Sequence, residues 1–192
     1  MSKKSYEMHE MFTTPIYAKK LKNIDNKKII KYLNKIKHER HNLNSSAEGG
    51  HHTQYFFYPF PTVVEDLNKE IESFVKEAPF KDFEVRGTPS VHNSWFIINN
   101  KGDFNKPHSH PPYWISGVYY VKADKDSGDI VFNNHAEMNN YATSYFNYNK
   151  FNSKEYRVIP ETGMLILFPS WIYHFVTPNK TNKDRIAYSF NI

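Results

Sequence analysis

Two short segments, far apart in the chain, carry the residue types that bind a metal. The first is Lys106-Pro-His-Ser-His-Pro-Pro112, with His108 and His110 two residues apart. The second is Phe168-Pro-Ser-Trp-Ile-Tyr-His174, and Arg185 follows His174 by eleven positions. Side chains two apart on a strand point to the same side, so His108 and His110 are expected at the start of a strand, presenting their rings to one point. A third imidazole from His174 on a returning strand would close a facial set of three and leave coordination positions free. An imidazole-rich site with open positions suits a redox metal that must also bind oxygen and a ligand. A guanidinium one strand further on is suited to grip a carboxylate in two places, a task in which Lys is inferior. The chain has only four arginines, Arg40, Arg86, Arg157 and Arg185.

The order of these parts resembles that of the Fe(II)/2-oxoglutarate-dependent oxygenases, and most closely an uncharacterised bacterial and bacteriophage branch of them. The residues that carry the resemblance run through most of the chain. They are Met11-Phe-Thr-Thr-Pro-Ile-Tyr17, Trp95 to Asn105, His108-Ser-His-Pro111, Ser116-Gly-Val-Tyr-Tyr120, Ser127 to Phe132, Pro160 to Trp171 with His174 beyond it, and Arg185-Ile-Ala-Tyr-Ser-Phe-Asn191. The resemblance implies an enzyme with Fe(II) on His108, His110 and His174 and with 2-oxoglutarate as co-substrate, its far carboxylate on Arg185. O2 and an unidentified substrate complete the implied reaction, a hydroxylase-type oxidation yielding succinate and CO2. His110 stands where the common pattern of the superfamily has a carboxylate. Three neutral imidazoles leave the metal its full +2 charge, which favours an anionic co-substrate. Asp103, five residues upstream of His108, is an alternative carboxylate ligand that would need a loop reversal. Two other readings stay open: a three-histidine cupin-type dioxygenase that uses no 2-oxoglutarate, and a non-catalytic metal- or ligand-binding jelly roll.

Period two places Arg185, Ala187, Ser189 and Asn191 on one face of the last strand, so Ser189 and Asn191 are expected beside the co-substrate if Arg185 is. The alternative is that Arg185 pairs with a surface carboxylate such as Asp184 or Glu161. Tyr120 (or Tyr119) is a candidate hydrogen-bond partner for the co-substrate and Asn99 a candidate for orienting it. The alternation of 116–121 does not say which of its faces is the inner one. His51 and His52 read as a solvated loop rather than a lid. His9, His38 and His41 read as surface residues, and His92 and His135 carry no signal.

The elements that must hold these residues are mainly strands. From residue 83 on, short β-branched and aromatic runs recur between Gly, Pro, Asn and Asp: 94–98, 114–121, 129–132, 156–159, 164–168, 173–176 and 185–190. Seven or so such runs predict a mainly β fold, a double-stranded β-helix or jelly roll of the cupin kind. Before them, Phe12 to Lys19 reads as an edge strand. Asp25 caps a helix reaching about His38, and 39–61 reads as a long loop. Thr62-Val-Val-Glu65 is a capping-box pattern opening a helix to about Glu77. The expected organisation is one oxygenase-like domain over 1–192, with a helical support region over 1–82 packed on one sheet of a jelly-roll core over 83–192.

Composition narrows the partners. The 192 residues hold 14 Tyr and 15 Phe, which suits sheets with large buried side chains. The formal net charge is +5, spread thinly on lysines with no basic helix, so no nucleic-acid partner is indicated. There is no cysteine, which excludes disulfides and thiolate ligands. No apolar run is long enough for a membrane span or a signal peptide, and a cytoplasmic location is expected. Oligomeric state is not readable, and a homodimer is left open.

Overall fold

The computed structural model describes residues 12–36, 46–135 and 149–192. The expectations for Met11, His9, His38 and His41, and for the end of the first helix beyond Ile36, fall outside these residues. Two antiparallel sheets face each other. In chain order the strands are β1 (Tyr17–Lys20), β2 (Ala47–Glu48), β3 (His51–His52), β4 (Asn93–Asn99), β5 (Phe104–His108), β6 (Ile115–Lys122), β7 (Ile130–Asn133), β8 (Glu155–Val158), β9 (Met164–Pro169), β10 (His174–Val176) and β11 (Arg185–Asn191). The larger sheet runs β1-β9-β6-β11-β4-β3 and the smaller β2-β5-β10-β7-β8. This is the double-stranded β-helix expected from the recurrence of short strands.

Alternation along the central strands divides two cores. Tyr119, Val121, Leu165, Leu167, Tyr188 and Phe190 project to the outside of the larger sheet, against Ile29 and Leu33 of α1 (Asn26–Ile36) and Leu67, Ile71, Phe74 and Val75 of α2 (Glu65–Glu77). Val118, Tyr120, Ile166, Phe168 and Ala187 project the other way, against Ile130, Phe132 and Val176 of the smaller sheet. The helices therefore brace one sheet from behind, as their amphipathic spacing requires. The inner face of β6 is the one carrying Ser116, Val118 and Tyr120.

Four expectations are corrected. The Asp25 cap forms, its Oδ1 accepting from the Lys28 N–H at 3.0 Å, but the capping box at Thr62 does not. Thr62–Val64 forms a 3-10 turn in which the Val64 N–H is satisfied by the Pro61 carbonyl at 2.9 Å, and α2 starts only at Glu65. The loop expected over 39–61 contains β2 and β3, which pair with β5 and β4; two-residue strands have no periodicity to betray them. The segment before residue 83 thus contributes β2 and β3 as well as the helices and the expected edge strand β1, which lies beside β9. Lastly, His108 ends a strand rather than beginning one, and His110 lies beyond it.

Candidate metal centre and co-substrate cavity

The three histidines meet by a different route from simple strand alternation. His108, the last residue of β5, and His174, the first of β10, are direct cross-strand partners. His110 sits in the turn after β5, where its N–H donates to the Ser170 carbonyl at 2.8 Å and its carbonyl accepts from Tyr113 at 3.1 Å. That turn bends the chain from the smaller sheet towards the larger and swings the third ring in. One ring nitrogen from each residue lies within 4.8 Å of the others, and the Nε2 atoms of His110 and His174 are 3.3 Å apart.

Hydrogen bonds fix which nitrogens are available. His108 Nδ1 faces the Lys106 carbonyl at 2.7 Å and His174 Nδ1 faces the Ile172 carbonyl at 3.0 Å. A carbonyl only accepts, so both Nδ1 atoms carry the proton and both Nε2 atoms present lone pairs, the state a metal ligand needs. Burial holds all three rings neutral. It pushes His110 down to about 3, aided by the neighbouring His108. Burial, then His108 and His110, lowers His174 well below the ordinary imidazole value, and burial also lowers His108. Phe168 and Phe132 pack on the His174 ring at 4.7 and 5.9 Å and wall it from water. Asp103 is elsewhere: its Oδ2 accepts from the Asn100 N–H at 2.7 Å in the turn before β5, so it is not a fourth member.

The trio opens onto a cavity of about 260 Å³ between the sheets, and Arg185, Tyr120 and Ser189 line the same cavity. Arg185 is 2 % exposed. It donates from Nη2 to Asn99 Oδ1 at 2.7 Å and Asn105 Oδ1 at 3.3 Å, and from Nη1 to the Gly128 carbonyl at 3.2 Å. Each of these is a neutral oxygen, and the Nε–H has no partner. Neither Asp184 nor Glu161 pairs with it, so that alternative falls; Glu161 is engaged by Lys20 at 2.9 Å. Among the described residues lining the cavity there is no carboxylate. A guanidinium that is buried without an anion is costly, and the cavity lacks the negative charge that would offset it.

The remaining expected residues sort by position. Tyr120 lines the cavity with its hydroxyl unbonded among the described residues, and burial pushes its phenol up to about 12, so it stays a donor. Tyr119 points the other way, to Asn26 Oδ1 at 3.0 Å. Asn99 stands behind Arg185 and aims it. Asn191 is outside the cavity lining, tied to Ser116 at 2.7 Å and Asn93 at 2.8 Å. His52, read from sequence as solvated, is 9 % exposed and part of the cavity wall. His92 and His135 are exposed. Missed altogether were Asn105 and Ser46. Asn105 bridges Arg185 to the Ser46 hydroxyl at 3.4 Å, which in turn sits 3.3 Å from His108 Nε2. Nothing in a lone Asn or Ser marks such a bridge before the sheets are paired.

A family model described as "Putative 2OG-Fe(II) oxygenase" matches residues 93–191, from the first residue of β4 to the last of β11. The chain belongs to this family. This 2-oxoglutarate oxygenase is therefore an enzyme that uses Fe(II), 2-oxoglutarate and O2. The donor set fits both groups: three imidazole lone pairs for the metal, and a buried guanidinium with no anionic partner among the described residues for a dianion. In overall fold the oxygenase is similar to a prolyl-4-hydroxylase from Pseudomonas putida, at 14 % identity over 93 % of both chains with a TM-score of 0.66. It is also similar to a viral collagen prolyl hydroxylase from Paramecium bursaria Chlorella virus-1 in complex with 2-oxoglutarate (12 % identity, 91 % of this chain and 94 % of that one, TM-score 0.57). A third likeness is to HygX from Streptomyces hygroscopicus with nickel and 2-oxoglutarate bound (11 %, 93 % and 82 %, 0.55). No curated protein matches in sequence. Among the described residues no helix is long and apolar enough to cross a membrane.

Proposed function

We propose that this oxygenase inserts oxygen into a C–H bond of its substrate, with His108, His110 and His174 as the Fe(II) ligands and Arg185 as the anchor for the far carboxylate of 2-oxoglutarate. The observation that carries this reading is the buried, anion-free Arg185 in the same cavity as three neutral imidazoles. The bound metal and co-substrate supply the oxidising chemistry: 2-oxoglutarate, O2 and R–H become succinate, CO2 and R–OH. The chain's own part is to bind, orient and keep water out. Asn99 and Asn105 hold the guanidinium in a fixed direction. Tyr120 offers a phenolic O–H from β6, and Ser189 a hydroxyl from β11. The Phe168 and Phe132 rings shield His174 on the apolar side. The same reading takes residues 1–192 as one oxygenase unit.

The test is an anaerobic titration of the Fe(II)-loaded protein with 2-oxoglutarate, followed by visible absorption. A weak charge-transfer band that saturates with one co-substrate per chain is expected. Metal binding without that band would instead support a three-histidine dioxygenase that needs no 2-oxoglutarate.

A further inference from the structure

Beside the metal trio the cavity has a second wall that none of the residues discussed so far explains. It joins the strap of chain around β3, ahead of the family-matched segment, to Trp95 of β4 within that segment. Here His52 stacks on Trp95 with ring centroids 5.7 Å apart and planes at 11°. Tyr55 meets both rings edge-on, at 5.5 and 5.1 Å. Trp95 in turn lies 5.7 Å from the ring of His110. All three line the cavity, so the wall stands directly beside the metal-binding rings.

His52 has a defined tautomer. Its Nδ1 is 2.6 Å from the Thr53 carbonyl, which can only accept, so Nδ1 carries the proton and Nε2 a lone pair. Nε2 has no hydrogen-bond partner among the described residues, and it is not among the buried atoms sealed from solvent. Burial favours the neutral ring. The wall therefore presents the His52 Nε2 acceptor in an aromatic face that also carries the Tyr55 hydroxyl and the unpartnered Trp95 Nε1–H. Charge narrows what can sit there. The described residues lining the cavity include no Asp, Glu or Lys, and the only guanidinium is Arg185. A cationic group would find no counter-charge, and an anionic one would compete with the co-substrate for Arg185.

We propose that His52 is a substrate-binding residue whose Nε2 accepts a hydrogen bond from a neutral, ring-bearing N–H or O–H donor lodged against Trp95 and Tyr55. The inference rests on the oxygenase reading in one respect, that the trio marks where the reacting carbon lies. The substrate's donor group, not a charge, then sets its orientation. A cavity of about 260 Å³ also has to hold the co-substrate, so only one such group enters and the rest of the substrate stays outside.

Phenol and anisole are matched probes, since they share a ring and differ in the donor. Their binding to the metal-free full chain, and that of benzylamine as a cationic probe, is measured by NMR at neutral pH with the His52 Nε2 resonance as reporter. Phenol is expected to shift that resonance and to bind about fivefold more tightly than anisole, the factor a single hydrogen bond gives, with benzylamine weakest. In His52→Phe the ring stack is kept, and the phenol preference should disappear. Equal binding of phenol and anisole, an unmoved Nε2 resonance, or a preference surviving His52→Phe would overturn the proposal. The resonance needs no variant, so it decides even if His52→Phe folds poorly. Neither metal nor 2-oxoglutarate is present, so failure here leaves the co-substrate titration untouched, and failure of that titration leaves this result standing.

Discussion

Arg185 concentrates the cost of the site in one side chain. Its charge is held inside the sandwich by amide and backbone oxygens alone, and removing the partner of a buried charge costs about 3–5 kcal/mol. An anionic co-substrate that has buried its carboxylate against this guanidinium loses that much when the guanidinium is removed. Arg185→Ala should therefore weaken 2-oxoglutarate binding by a factor of roughly hundreds or more while metal content stays near that of the parent. Arg185→Lys should recover only part, because an ammonium cannot reproduce two parallel donors. His174→Ala should do the reverse and lose the metal. Calorimetric titration with 2-oxoglutarate, paired with metal analysis of the same samples, separates the two; normal co-substrate binding by Arg185→Ala would remove the anchor assignment. These residues could be picked out from sequence because His and Arg announce their chemistry. Asn105, Ser46 and His52 could not, since their roles exist only after remote strands are paired.

β11 shows how an element converts period two into a site. Arg185, Ala187 and Ser189 face the cavity while Ile186, Tyr188 and Phe190 face the helices, and β4 and β6 pair with it on either side. This division was readable from alternation, and both helices and the long strands other than β5 from their residue runs; β5 was not expected as a strand. The route to the histidine trio was not. His108 and His174 meet as cross-strand partners at strand ends, and His110 arrives on a turn anchored to Ser170, so the three rings do gather, but by a local geometry other than the one expected. Gly128 is the turn on which Arg185 leans. Its φ is +104°, and an added Cβ would collide with the Thr177 carbonyl and stand 3.4 Å from Arg185 Nη1. Gly128→Ala is expected to cost about 1–3 kcal/mol and to weaken 2-oxoglutarate more than metal. Thermal melts and the two ligand titrations measure this, and unchanged co-substrate affinity would mean Gly128 serves only the backbone.

The molecule as a whole should be sensitive to acid through its buried imidazoles. The native pKa values of His52, His108, His110 and His174 are all lowered. As pH falls below the ordinary value of about 6.5, the unfolded chain takes up protons that the native protein does not, so stability is present above that pH and declines below it. Urea midpoints of the metal-free protein should fall between pH 7 and 5. The fall should be shallower in His110→Asn, which removes a ring pushed down to about 3; an identical slope would exonerate that ring. The placement of the site has a mechanical consequence. His108 and His174 stand at the ends of β5 and β10 in the smaller sheet and Arg185 at the start of β11 in the larger, so a ligand reaching both is a rivet through the sandwich. The protein itself joins the two layers there by side-chain packing and by the Arg185–Asn105 hydrogen bond, and β10 is only three residues long. Amide hydrogen exchange should therefore slow in two stages: metal alone quiets β5 and β10, and 2-oxoglutarate extends the quiet zone across the gap to β11. Protection that never crosses to β11 would mean that the co-substrate does not span the layers.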